Sequence, residues 1–311
     1  MGPRTVFESL LVTMSIFPIA YVEPVYRPPS EADSLILPVT NGCSWNRCTF
    51  CEMYTAPQKR FSPRAEEEVL DAIRLCGEQF GDGVKRIFLA DGDAMSLSTR
   101  RLKTVLEAIG RHLPGVRRVS SYCLPRNVRK KSVEELRELR ALGLSLVYVG
   151  AESGDDEVLE RVDKGETFES SREALEKLQQ AGVKRSVMIL NGLGGRALSR
   201  QHAINSAALM NAAQPEFLAT LVVSFPLGED RFRARFPGWE PLGVTELMQE
   251  MELFLSHLDL NRTVFRSDHA SNWLVLKGTL GADKPRLLRE LRAAIAAPED
   301  APLRPAWARG L

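Results

Sequence analysis

No run in this chain is long and apolar enough to cross a bilayer. The best, Leu10–Ala20, falls well short of the ~20 residues a spanning helix needs. As a signal-peptide core it is spoiled by Glu8 ahead of it, Pro18 within it and the lack of a small-residue cleavage site. Met14 offers an alternative start, neither end carries a lipidation motif, and the chain reads as cytoplasmic. An excess of one charge is missing too. Lys+Arg 41 against Asp+Glu 40 gives +1, which leaves no electrostatic footprint for nucleic acid or an anionic membrane. There is no repeat of solenoid period and no low-complexity tract. Five cysteines in 311 residues are too few, and odd in number, for a disulfide framework. What is present, 44% hydrophobic and 26% charged residues, is the composition of an ordinary globule.

After a proline-rich lead-in (Pro24, Pro28, Pro29), short apolar runs alternate with amphipathic patterns. Strands are expected at Leu35–Val39, Arg86–Ala90, Arg118–Tyr122, Ser145–Gly150, Ser186–Leu190 and Phe217–Val223. Helices are expected near 63–79, 99–113, 132–142, 155–163, 169–181 and 199–213. Pro63 reads as a first-turn proline, Ser132 with Glu135 as a capping box, and Gly143 and Gly182 as helix stops. Near-continuous apolar strands suit a parallel sheet covered by helices. Six such units in a row imply an α/β fold, a partial (β/α)6 TIM-type barrel, with ligand groups at the carboxyl ends of the strands. The rhythm is expected to end near 231, with tail helices at 243–257 and 283–296. The division is then a lead-in over 1–34, a core over 35–230 and a C-terminal extension over 231–311 covering the barrel mouth.

Directly after the first strand, Cys43, Cys48 and Cys51 share one loop. Three soft thiolates at this spacing suit an iron–sulfur cluster or zinc. Zinc calls for a fourth ligand, and the nearest histidine, His112, is far along the chain.

With Phe50 ahead of the third cysteine, this loop resembles the Cys-x3-Cys-x2-Cys motif of the radical S-adenosylmethionine (radical SAM) superfamily, although the first spacing here is four residues. Within it, the chain resembles oxygen-independent coproporphyrinogen-oxidase-like and elongator-like members, most without an assigned substrate. The resemblance implies a 4Fe–4S cluster on Cys43, Cys48 and Cys51 and S-adenosylmethionine (SAM) on the remaining iron. It also implies reductive cleavage of SAM to a 5′-deoxyadenosyl radical that abstracts hydrogen, and an electron donor such as a flavodoxin or ferredoxin. Position by position, Asp91, Gly92 and Asp93 resemble the segment that meets the SAM amino group. Glu152 and Ser153 resemble the contact to its ribose or methionine part. Asn191, Gly192 and Gly194 resemble the loop whose backbone approaches adenine.

Blander readings compete: an Asp-Gly turn at 91–93 and helix capping at 152–154. Gly192-Leu193-Gly194-Gly195-Arg196-Ala197 also fits a dinucleotide fingerprint, but no acid ends the next strand as an NAD-type oxidoreductase requires. A non-catalytic Fe–S or zinc module would not need the strand-end segments, and neutral charge disfavours an RNA substrate. The basic clusters at 125–131 and 231–235 read as solvated charge, and Cys76 and Cys123 as packing residues. Arg266 and His269, in a polar run ahead of an expected strand at Trp273–Leu276, are candidates to meet an anionic or hydrogen-bonding group of a small-molecule or peptide substrate and to cover the barrel mouth.

Overall fold

A computed structural model describes residues 18–309. Most of the apolar run Leu10–Ala20, with Met14, lies outside them.

The chain enters a first strand β1 (Leu35–Pro38) and a short antiparallel pair, β2 (Thr40–Asn41) with β3 (Ser62–Pro63). There follow α1 (Glu66–Phe80), β4 (Arg86–Ala90), α2 (Thr99–His112), β5 (Arg118–Cys123), α3 (Pro125–Arg129) and α4 (Val133–Ala141). The second half runs β6 (Leu144–Glu152), α5 (Asp156–Arg161), α6 (Phe168–Gln180), β7 (Lys184–Asn191), α7 (Gly195–Ala213) and β8 (Phe217–Val222). It closes with α8 (Asp230–Arg235), α9 (Val244–His257), β9 (Val264–Ser267), β10 (Leu276–Thr279) and α10 (Lys284–Ala296).

One sheet orders the strands β1-β4-β5-β6-β7-β8-β9-β10, parallel except for β10 on β9, and its two edges do not pair. The six expected strands are all present in that order. The rhythm does not end near 231, however. After α9, β9 joins β8 in parallel through Phe217↔Val264 and Ala219↔Arg266, a seventh parallel strand. Its sequence, Val-Phe-Arg-Ser, is too short and mixed to stand out without its neighbour. β10 begins at Leu276, where the expected run ended, and the 125–131 cluster contains α3. Pro63 sits in β3, not in a first helical turn, and α1 begins at Glu66.

Local chemistry sets the helix ends. Ser132 Oγ accepts from Glu135 N while Glu135 returns to Ser132 N, and Asp155 Oδ1 accepts from Val158 N. Gly143 and Gly182 end α4 and α6 with φ of 114° and 74°, where a side chain would be strained. The main core lies between the helices and one face of the sheet, where the register aligns Cys123, Val149, Val187, Leu218 and Phe265. Helix α2 buries Leu102, Val105, Leu106 and Ile109 there, each worth roughly 1.5–3 kcal/mol.

The opposite face carries Phe88, Tyr122 and Tyr148 in edge-to-face contact, with Tyr21 and Val25 of the lead-in packed on it. Buried Glu31 holds the lead-in there, accepting from Tyr148 Oη (2.6 Å) and pairing with Arg118 (2.9 Å).

Candidate metal and cofactor site

The β2–β3 pair closes the chain between residues 41 and 62 into a loop beside the end of β4, and all three clustered cysteines lie in it. Thr40 Oγ1 donates to the Asp91 carbonyl (2.7 Å) and Asp91 N to the Thr40 carbonyl (3.1 Å). The approach is so close that a Cβ on Gly92 (φ 77°) would sit 2.2 Å from the Gly42 carbonyl oxygen. Only glycine fits there. Asn46, at φ 46°, turns the chain inside the four-residue spacer between Cys43 and Cys48 and ties it down through Nδ2 to the Tyr54 carbonyl (2.8 Å).

The same loop is stitched to the turn after α5. Thr49 N donates to the Val162 carbonyl (3.0 Å), Trp45 Nε1 to the Asp163 carbonyl (2.7 Å), and Arg126 stacks over Trp45 at 3.7 Å. Asp163 (φ 51°) and Gly165 (φ 68°) flank Lys164 with left-handed backbone, and the lysine is buried. Its ammonium pairs with Glu152 at 3.1 Å and lies 5.8 Å from the centre of the Phe50 ring. Burial works against the ammonium, but the Glu152 carboxylate and the Cys48 thiol outweigh it and raise its pKa. Burial pushes the three thiols up, Cys48 to about 12, and the Lys164 charge pulls each of them back.

Glu152 is itself unusual. It follows a register shift in β6, has φ of 66° and is buried. Such a conformation in a non-glycine residue costs of order 1–3 kcal/mol. Gly150 leaves room for it, since a Cβ there would meet Glu152 Oε1 at 2.0 Å.

The structure separates the acids of the 91–93 segment. Asp91 is committed to protein partners, Lys59 Nζ at 2.6 Å and Tyr54 Oη at 3.2 Å. Asp93 is fully buried; its Oδ2 accepts from Ser44 Oγ and Asn127 Nδ2 (3.4 Å), while its Oδ1 has no partner. Burial raises its pKa against the pull of those two donors. A buried carboxylate oxygen left open beside the cysteine loop is a place for a cation or donor.

Ser153 is brought to helix α7 instead, bonded to His202 Nδ1 (2.8 Å) and accepting from Asp155 N (2.9 Å). Asn191 ends β7 and is buried; Gly192 (φ 80°) and Gly194 follow it directly into α7. Arg266 is exposed, with its guanidinium on the Phe265 carbonyl (2.8 Å). His269 bonds within its own turn to Ser271 Oγ (2.9 Å); burial and then Arg304 lower its pKa, with Asp268 opposing. Residues 268–272 run along β8, where Ser271 Oγ accepts from Val222 N and Asn272 Nδ2 donates to the Thr220 carbonyl. Segment 225–239, which straddles the expected end of the core, makes contacts with the cysteine loop. Phe232, Phe236 and Trp239 pack with Val158, Val162 and Leu193 against Phe50, and Arg231 donates to the Cys51 carbonyl at 2.8 Å.

Lys164, Asn127 and Lys59 were not legible as site residues. A Lys-Gly pair just past a helix reads as an ordinary C-terminal cation, and burial is what distinguishes it. Among the described residues no group of three or more Cys, His, Asp or Glu side chains is arranged to hold one metal ion. An iron–sulfur cluster makes a different demand, because its thiolates bind separate irons. The dinucleotide reading fails where expected. Glu216 precedes β8 and is taken by Arg185 (2.9 Å), and β8 ends on Leu221-Val222.

Residues 37–206 match the Radical SAM superfamily. The chain belongs to that superfamily. It is a family of enzymes that use a 4Fe–4S cluster and SAM. Among relatives in sequence, the heme chaperone HemW of Bacillus subtilis is 24% identical over 172 residues, 53% of this chain and 45% of that protein. The 4′-phospho-dehydrooxetanocin synthase of Priestia megaterium is 25% identical over 167 residues, 48% of this chain and 22% of that protein. The chain thus spans less than half the length of the curated relatives it matches. In fold it is similar to coproporphyrinogen III oxidase (HemN) from Escherichia coli (TM-score 0.53, 15% identity, 72% of this chain and 52% of that one). It is also similar to methylornithine synthase, PylB (TM-score 0.51, 16% identity, 88% of this chain and 74% of that one). The family match bears out the expected radical SAM membership, and the two solved structures share its fold. No helix among the described residues is long and apolar enough to cross a membrane.

Proposed function

We propose that this chain holds a 4Fe–4S cluster on Cys43, Cys48 and Cys51 with SAM beside it, and acts on a substrate laid against the sheet face that the helices leave free. One observation carries the reading: a buried cation, Lys164, and a buried acid with an open oxygen, Asp93, both face the three-cysteine loop. SAM presents an amino group and a carboxylate, and this pair complements them. The Asp93 Oδ1 atom accepts from the amino group, Lys164 pairs with the carboxylate while Glu152 holds it in place, and the Gly192–Gly194 backbone borders adenine. When bound, the cluster supplies the electron that cleaves the sulfur–C5′ bond of SAM, giving the radical that takes a hydrogen atom.

The chain's own task is to orient the reactants and exclude water. Segment 225–239 does so over the cysteine loop, where the core passes into the extension that closes the mouth. On the free face the register sets Gly150, Met188, Ala219 and Arg266 in one row. An apolar substrate carrying an anion fits that row, with the anion at Arg266 and His269 at the rim. A flavodoxin or ferredoxin would deliver the electron. Asp93→Ala and Lys164→Met should each weaken SAM binding roughly 10- to 100-fold, the value of a charge-assisted hydrogen bond, at unchanged iron content. Equal affinity in both variants and the parent, by equilibrium binding on the reconstituted protein, would return these residues to structural roles.

A further inference from the structure

Two strand-end loops meet through side chains that belong to neither. On α7, His202 is buried; its Nδ1 bonds Ser153 Oγ (2.8 Å) in the loop after β6, and its Nε2 bonds the Leu190 carbonyl (3.0 Å) at the end of β7. A carbonyl only accepts, so Nε2 carries a proton and donates to it, while Nδ1 shares a hydrogen bond with Ser153 Oγ, whose oxygen accepts from Asp155 N. Buried Glu250, on α9, takes the Gly192 amide on Oε1 (2.6 Å) and Ser199 Oγ on Oε2 (2.5 Å), with His202 Nε2 at 3.9 Å. Leu247 of α9 packs on the same side of the loop, where a Cβ on Gly192 would meet its side chain at 3.0 Å. Both His202 nitrogens and both Glu250 oxygens are thus used, in a place where an unmade bond is expensive.

We infer that His202 and Glu250 are positioning residues that set the loop 190–195 against the loop 152–155, so that recognition of the nucleoside half of the cofactor depends on α9. The inference rests on the reading above that these two loops hold SAM. Among the described residues neither has a hydrogen bond or ion pair to the cysteine loop, so the frame leaves iron binding alone.

The test uses the full chain with His202→Phe, Glu250→Leu and Glu250→Gln. In cofactor-free protein, hydrogen exchange should speed up in both loops for His202→Phe and in 190–195 alone for Glu250→Leu, with 43–51 unchanged. On cluster-loaded protein, titration with 5′-deoxyadenosine should show about a tenfold loss of affinity in these two variants, and Glu250→Leu, which leaves Glu152 in place, should show none for methionine. Glu250→Gln keeps an oxygen for the Gly192 amide and should stay near the parent in both measurements. Unchanged exchange, or equal loss of both ligands in Glu250→Leu, would overturn the positioning role. Failure of the parent to bind either ligand would overturn the SAM reading itself, and the exchange result would still decide whether the frame holds the loops.

Discussion

Alanine at Cys43, Cys48 or Cys51 should each take anaerobically reconstituted protein from about four irons per chain to nearly none, because a cluster of this type has no spare protein thiolate. The loop offers no substitute. Cys76 is buried in α1 and Cys123 at the end of β5, so alanine at either should leave the iron content as it was. Cys43 is the decisive variant, since it stands one residue further from Cys48 than in the usual motif. The left-handed turn at Asn46 lies in that spacer, and on this account Cys43 is a ligand like the other two. Iron and acid-labile sulfide assays decide it. A cluster that survives Cys43→Ala would mean that the first ligand lies elsewhere, and stoichiometric zinc in place of iron would overturn the cluster altogether.

The second large effect is on stability. Lys59 and Asp91 form an ion pair with side chains 1% and 3% exposed, at 2.6 Å, joining the loop that carries the cysteines to the end of β4. Lys59 Nζ also donates to the Val22 carbonyl of the lead-in, and its own backbone carbonyl presses on Gly42. Lys59→Met strands a buried carboxylate with only the Tyr54 hydroxyl for company, which should cost about 3–5 kcal/mol. Denaturant unfolding should show a lower midpoint at unchanged slope. Adding Asp91→Leu should recover part of the loss, because an apolar pair replaces a buried ionic one at little cost. If Asp91 served SAM directly, the double variant would regain stability and lose SAM affinity. Retention of affinity assigns the acidic role to Asp93.

The sequence by itself determined the alternation of strands and helices, the cysteine loop after the first strand, and the strand-end positions of Asp93, Glu152 and Gly192. Those features rest on local chemistry: apolar runs of strand length, caps such as Ser132 with Glu135, glycines at helix stops, and cysteine spacing. Only the tertiary structure decided which of two nearby acids keeps an open oxygen, which turned Asp93 toward the cysteine loop and gave Asp91 to Lys59. It alone showed Lys164 as a buried cation, His202 and Glu250 as a shared support for two loops, and β9 as a seventh parallel strand. It also gave the contacts over the cysteine loop to 225–239, where Arg231 reaches Cys51 across most of the chain. The physical reason is the same in each case. Burial and partner choice depend on contacts between residues far apart in sequence, and a side chain's type and spacing carry no record of them.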